Sequence, residues 1–216
     1  MPYVFRRYRF HYTQSEFRRM MLFSSIFFMS SMVAIFFAIG YATDSASNPV
    51  TDIILSNIPA FAVGDLFVYG SLLLALLTAL VCLTHPKRTP FALNALALFW
   101  IIRSGFVSLT HLGPSPIQTP INLDFNLGIV ATRFLTGNDL FFSGHVGWAF
   151  LMALLFWNEK TLRYIFLAWS AFFAAVVLLG HIHYSIDVAS AFFITFGVYH
   201  IALWLFHREH ELFLSK

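Results

Sequence analysis

The sequence predicts an all-α integral membrane protein, a bundle of six transmembrane helices with both termini on the cytoplasmic side. Three observations support this prediction. Of the 216 residues, 59% are hydrophobic and only 11% are charged, and the mean hydropathy of +0.75 exceeds that of a water-soluble domain of this length. The apolar residues fall into six long runs. The basic residues cluster in alternate connections between these runs.

Each apolar run is close to the length that a helix needs to cross about 30 Å of hydrocarbon. A helix is the expected spanning element because it satisfies its own backbone hydrogen bonds where no water is present. The longest connection, 113–139, carries three prolines and is expected to lie over the outer face, near the substrate. Within a single domain covering residues 1–216, we predict spans at approximately 20–42, 66–84, 91–112, 140–157, 162–180 and 185–206.

Basic residues set the predicted orientation of the bundle. Arginines near the N-terminus, the turn at 87–88, the turn at 160–163 and the tail at 208–216 all fall on one side of a six-span chain. By the positive-inside rule this side is cytoplasmic. The outer face would then meet the periplasm of a bacterium, or a lumen or the cell exterior in a eukaryote. The charged residues of the opposite connections are Asp44, Asp52, Asp65, Asp124, Arg133 and Asp139.

Composition also argues against several classes of function. The net charge of +3 and the pI near 9.2 do not indicate nucleic-acid binding, because the basic residues flank apolar runs and form no patch with interleaved aromatic residues. Cys82 is the single cysteine, so neither an intrachain disulfide nor a cysteine zinc cluster can form. The first apolar run lacks a convincing small-residue cleavage site, so we expect it to be retained as a span.

The first candidate site lies at the predicted outer end of the fourth span, where Ser143, Gly144 and His145 follow Asp139. A helix is expected to begin there. Its first backbone amides have no partners within the helix and its dipole favours anions, so a phosphate could be held there while His145 reaches the phosphate oxygens. The alternative is a capped helix start that carries an interfacial histidine.

The second cluster begins the sixth span, on the same predicted face. His183 and Asp187 are one helical turn apart, about 6 Å along the axis, and would project from the same side. The carboxylate can accept a proton from one ring nitrogen and leave the other nitrogen free to attack phosphorus. The alternative is a buried hydrogen bond that only stabilises packing, but ionisable residues at membrane depth are costly and usually functional.

Two histidines and an aspartate gathered at one membrane depth predict phosphoryl transfer. One imidazole would attack phosphorus while the other protonates the departing oxygen. Arg103 lies within the third span, where a guanidinium needs an anionic partner, and it could hold phosphate oxygens in a bidentate manner. The alternative partner for Arg103 is Asp139 or another carboxylate.

These residues resemble the motifs of the type 2 phosphatidic acid phosphatase superfamily, and in particular those of its sphingomyelin synthase branch. The stretch 139–145 is similar to that branch's Gly-Asp-x-x-x-Ser-Gly-His motif, although Asn138 separates Gly137 from the aspartate. The stretch 183–188 is similar to the branch's His-Tyr-Thr-(Ile/Val)-Asp-Val motif, and 103–116 resembles its arginine-to-proline stretch. Two features of the lipid phosphatases are absent: a lysine followed by Arg-Pro, and a Ser-Arg pair, where this chain has Val176 and Val177.

The resemblance implies an outward-facing site within about 95–206, with no metal ion and no other cofactor. It implies that His183 is the nucleophile, that Asp187 orients it, and that His145 donates a proton to the leaving group. The implied enzyme passes a phospho-head-group from a phospholipid donor to a lipid alcohol, such as ceramide or diacylglycerol, through a phosphohistidine. The residues expected to bind the substrate are Arg103, Asp139, Ser143 and Gly144.

Three alternatives stay open at this point: two other functions and a metal site. A phosphohydrolase shares the first half-reaction and differs only because water, not an alcohol, reaches the phosphohistidine. A proton-coupled transporter could use intramembrane histidines as a relay, although such groups commonly run through the membrane and these cluster at one end. A metal site built from His145, His181 and His183 would require an unwound segment, because positions two apart point to different faces of a helix.

Overall fold

The computed structural model describes residues 11, 13–121, 128–137 and 139–215, and of 128–131 the backbone alone. The arginines at positions 6, 7 and 9, Asp124 and Asn138, on which parts of the sequence predictions rest, lie outside the described residues. In the described part of the chain all regular structure is helical, which confirms the all-α prediction. A short 3-10 turn covers Leu55–Asn57, and the helices are α1 (Ser15–Asp44), α2 (Gly64–Thr84), α3 (Thr89–Leu109), α4 (Gly128–Thr136), α5 (Gly144–Leu155), α6 (Lys160–Leu179), α7 (Ser185–Leu205) and α8 (His207–Leu214).

Five helices, α1, α2, α3, α6 and α7, are long and apolar enough to cross a membrane, so the multi-pass character is supported. The count of six spans is not confirmed. The predicted fourth span corresponds to α5, which has 12 residues and a length of about 18 Å. The preceding residues 139–143 are not helical, because the backbone carbonyls of Asp139 and Phe142 accept hydrogen bonds from the Arg103 side chain.

Helix α3 lies at the centre of the bundle and packs against α1, α5, α7 and α8. It begins with Pro90 in its first turn, where the missing N–H removes no helical hydrogen bond. Helix α5 approaches α3 and α7 closely at Gly147. A Cβ atom at Gly147 would lie 2.7 Å from Thr195 Oγ1 and 2.8 Å from Phe99 Cε2, so a side chain larger than hydrogen would push these helices apart.

The two basic turns lie together at one end of the bundle. Arg88, which follows α2, forms an ion pair with Glu159, which precedes α6. The Arg88 guanidinium also lies 5.4 Å from the ring centroid of Phe213 in α8. Phe91, at the start of α3, packs against the same ring with 5.6 Å between centroids. The basic turns and the C-terminal helix, which the charge pattern assigns to one side, are therefore in mutual contact.

Candidate functional site

A backbone hydrogen bond joins the two predicted site clusters at the other end of the bundle. The N–H of Ser143 donates to the carbonyl oxygen of Asp187 at 3.1 Å. Ser143 is the N-cap residue of α5, and Asp187 lies in the first turn of α7. His145 and His183 line one cavity with Arg103. The residues that the sequence singled out from distant stretches are thus brought together.

His183 lies in the loop before α7 and not on the helix itself, because α7 begins at Ser185 with Tyr184 as its N-cap. Asp187 Oδ2 accepts a hydrogen bond from the Tyr184 N–H at 2.9 Å and lies 3.4 Å from His183 Nδ1. The pair therefore meets across a helix start, and not along one helix face as the spacing predicts. The distance of 3.4 Å is long for a hydrogen bond.

The turn between α6 and α7 fixes the position of the His183 backbone. His181 has a φ of 52°, in the left-handed region. Its N–H donates to the carbonyl of Leu178 at 3.1 Å, and the N–H of Ile182 donates to that of Val177 at 2.8 Å. These two bonds form a Schellman motif, in which the left-handed residue ends the helix and reverses the chain. His183 follows directly and points into the cavity, whereas His181 does not line it.

The metal-site alternative depends on three convergent ligands. Among the residues that the structure describes, no group of three or more histidine, cysteine, aspartate or glutamate side chains is placed to hold a metal ion. His145 instead packs its ring between two phenylalanines, 4.6 Å from the ring centroid of Phe67 and 5.2 Å from that of Phe173. These apolar contacts hold the His145 imidazole beside the cavity.

Arg103 is 2% exposed, and each of its three guanidinium nitrogens donates to the segment before α5. Nε donates to the Phe142 carbonyl at 2.9 Å and Nη2 to the Asp139 carbonyl at 2.8 Å. Nη1 forms an ion pair with the Asp139 carboxylate, so the partner that the sequence left as the alternative is present. Arg103 also lines the cavity, and contact between its guanidinium and a phosphate stays a prediction.

Arg103 is packed directly against the start of α5. A Cβ atom at Gly144 would lie 2.8 Å from Arg103 Nε, so only glycine fits beside the guanidinium there. Ser143 is fully buried, its side chain does not cap α5, and its Oγ has no hydrogen-bond partner among the described residues. A helix start with a buried, unpartnered hydroxyl and with Gly144 and His145 facing a cavity is suited to an anion.

The site region was compared with known protein families. Residues 136–204 match a family model described as PAP2 superfamily C-terminal. The match includes His145, His183 and Asp187 and supports placing this region in the PAP2 superfamily, whose members are phosphatases or phosphotransferases. It therefore supports a phosphoryl-transfer enzyme. No curated protein matches the chain.

Asp52, in the loop between α1 and α2, contacts the region matched by the family model, and the sequence did not predict this contact. Its Oδ2 accepts hydrogen bonds from the N–H and the Oγ–H of Ser185, each at 2.7 Å. Its Oδ1 accepts the N–H groups of Ile54 and Leu55 at 2.9 and 3.0 Å. Asp52 and Ser185 are 133 residues apart in the chain, so no local pattern reveals the contact.

Tyr184, the residue after His183, binds the loop between α1 and α2 and the loop after α3 to the start of α7. Its O–H donates to the Gly113 carbonyl at 2.8 Å and accepts the N–H of Val50 at 3.2 Å. The loop after α3 also supplies Gln118 and Ile121 to the cavity lining. Part of the connection that the prolines mark therefore lies beside the site, as the sequence predicts.

The hydrogen bonds of Asp52 predict a pH-dependent contribution to stability. Burial opposes ionisation, but the bonds from Leu55, Ser185 and Ile54 outweigh burial and lower the pKa of Asp52 below its ordinary value of 3.8. The stabilisation is therefore present above about pH 4 and is lost as the pH falls through the lowered pKa. We expect Asp52→Asn to lower the apparent melting temperature at pH 7 by roughly 2–5 °C, measured in detergent by differential scanning fluorimetry.

The matched control for this variant is Asp44→Asn, which removes the same charge at an exposed position in the last turn of α1. It should leave the melting temperature within about 1 °C of the original. The difference in apparent melting temperature between the original protein and Asp52→Asn should also become smaller below about pH 4. A gap of the same size at every pH would contradict a role for the ionised carboxylate.

Proposed function

We propose that this chain is a membrane phosphotransferase that moves a phospho-head-group between lipids through a phosphohistidine on His183, as the sphingomyelin synthase branch of the superfamily does. The hydrogen bond between Ser143 and Asp187 carries the proposal. It joins the helix start that holds His145 to the helix start beside His183 and Asp187. Both imidazoles thereby line one cavity, and the buried Asp187 carboxylate lies 3.4 Å from Nδ1 of His183, an arrangement suited to in-line displacement at phosphorus.

In the first half-reaction, Nε2 of His183 attacks the phosphorus of the donor lipid. Asp187 faces Nδ1, so it favours the tautomer in which Nδ1 keeps the proton and Nε2 has a free lone pair. The bond between phosphorus and the oxygen of the departing lipid alcohol breaks as the new phosphorus–nitrogen bond forms. His145 donates its proton to that oxygen, and the amides at the start of α5 stabilise the charge on the phosphoryl oxygens.

In the second half-reaction, a lipid alcohol takes the place of the departed product. Neutral His145 accepts the proton of the acceptor hydroxyl, whose oxygen attacks phosphorus and breaks the phosphorus–nitrogen bond. His183 returns to its neutral state and His145 to its protonated state, so protons balance over the cycle. Water in place of the alcohol would give a phosphohydrolase.

The membrane arrangement is part of the proposal. We infer that one membrane domain spans residues 1–216, that α5 with its preceding segment makes the sixth crossing, and that both termini face the cytoplasm. The contacts among the two basic turns and α8 support a common basic side. The histidines lie at the other end of α5 and α6, so the active site would open on the non-cytoplasmic face.

The test uses the purified full chain in nanodiscs with a donor phospholipid labelled in its head group. We expect the label to appear in a second lipid when ceramide or diacylglycerol is added, and a labelled, acid-labile adduct to form on His183 when the acceptor is left out. Release of free head group or inorganic phosphate at the same rate with and without acceptor would show hydrolysis. Absence of any adduct and any product would overturn the proposal.

A further inference from the structure

A cavity of about 580 Å³ extends from the two histidines into the bundle. Its charged and imidazole side chains, Arg103, Asp139, His145 and His183, lie at one end. The rest of the lining is mostly apolar, and Phe28 and Met32 of α1 close one side of it. Helix α2 contributes the longest stretch of the lining: Phe67, Ser71, Leu72, Ala75, Thr78, Ala79 and Cys82.

The length of the cavity corresponds to a lipid chain. Phe67 contacts the His145 ring and marks the polar end, and Cys82 is fifteen residues further along α2, about 22 Å at the rise of an α-helix. This exceeds half of the roughly 30 Å hydrocarbon thickness, so the cavity can hold a chain from one leaflet. A cavity of about 580 Å³ along this length can hold one polymethylene chain.

The cavity is open to the surface of the bundle along α2. This helix packs mainly against α6 and only sparsely against α3 and α5. Ala75 and Ala79 line the cavity and are nevertheless exposed, so the side of the cavity that they border faces the surrounding lipid. A lipid that diffuses in the bilayer can therefore place one chain in the cavity sideways and leave its other chain outside.

We propose that this cavity is a binding site for a single acyl chain of the lipid substrate, and that Ala75 and Ala79 set the longest chain that fits. The inference rests on the proposed function, because it assigns the polar end to the phospho-head-group. Each alanine leaves room that a larger side chain would fill. The two positions lie eight and twelve residues beyond Phe67, about 12 and 18 Å from the polar end. A larger side chain at each position would therefore limit the acyl chain to a different length.

Phenylalanine at these positions should shorten the site in graded steps. With Ala79→Phe, we expect kcat/KM for a palmitoyl-chain substrate to fall about tenfold or more, since the added ring would occupy space that the end of the chain needs. An octanoyl-chain substrate should be turned over within about twofold of the original rate. Ala75→Phe should reject a dodecanoyl chain that Ala79→Phe still accepts.

The matched control is Leu80→Phe, which adds an aromatic ring to the neighbouring residue on the lipid-facing side of α2, outside the cavity. It should not change the order of chain-length preference. An equal loss for long and short chains in Ala79→Phe, or the same shift in Leu80→Phe, would overturn the chain-site inference and leave the proposed function intact.

A binding readout separates failure of the inference from failure of the proposed function. A phospholipid with a photoreactive group at its chain end should crosslink near Cys82 and Leu93, the deepest lining residues of α2 and α3, and this label should be lost in Ala79→Phe. Labelling without turnover of any substrate would overturn the proposed function alone. Labels confined to the lipid-facing residues around Leu80 would overturn the chain site alone.

Discussion

Replacing His183 by glutamine is expected to reduce kcat by at least about 10⁴-fold, because it removes the only atom proposed to form a bond to phosphorus. Glutamine has nearly the same length and keeps the backbone N–H that donates to the Val177 carbonyl at 3.3 Å, so the turn before α7 should persist. The measurement is transfer of labelled head group in nanodiscs, together with mass spectrometry of the adduct. Both product and adduct should be absent.

The matched control for the nucleophile is His111→Gln. His111 lies at the same end of the bundle as His183, but its exposed ring packs against Tyr41 and does not line the cavity. This variant should keep turnover within about twofold. If His183→Gln retained even about one hundredth of the original kcat, while remaining monodisperse and folded, a phosphohistidine at this position would be excluded.

The apolar runs predict most of the helices because hydropathy directly reports what a bilayer requires of a segment. The run at 66–84 becomes Gly64–Thr84 and the run at 185–206 becomes Ser185–Leu205. The predicted span at 140–157 is not helical at its start, because Arg103 binds the backbone carbonyl of Phe142 and that of Asp139 just before the run. The short helix Gly128–Thr136 was also missed, since the prolines before it favour an irregular loop.

The site residues could be predicted where the residue type and its sequence surroundings alone indicate a function. A histidine within an apolar stretch can be singled out as a candidate site residue from the sequence alone. The structure places His145 and His183 at one cavity. The contacts that hold them in place depend instead on pairs distant in the chain. In the sequence Asp52 cannot be distinguished from any other loop aspartate, and only the fold places Ser185 beside it. Likewise, nothing local distinguishes Ala79 from the other small residues of an apolar run.

Breaking the buried ion pair between Arg103 and Asp139 is the second large effect that we expect. Arg103→Met leaves the Asp139 carboxylate and two backbone carbonyls without the donors seen in the structure. Removing one partner of a buried pair typically costs about 3–5 kcal/mol of unfolding free energy. We therefore expect a markedly lower apparent melting temperature, measured in detergent, and turnover reduced by at least about 10²-fold because the start of α5 loses its support.

The double variant Arg103→Met with Asp139→Leu distinguishes a structural arginine from one that also binds phosphate. Removing both charges eliminates the unpaired carboxylate, so much of the lost stability should return. Turnover should nevertheless stay at least about 10²-fold below the original, because the cavity then lacks its guanidinium for the phosphoryl oxygens. Recovery of turnover in parallel with stability would show that Arg103 only supports the segment before α5, and would refute the predicted phosphate contact.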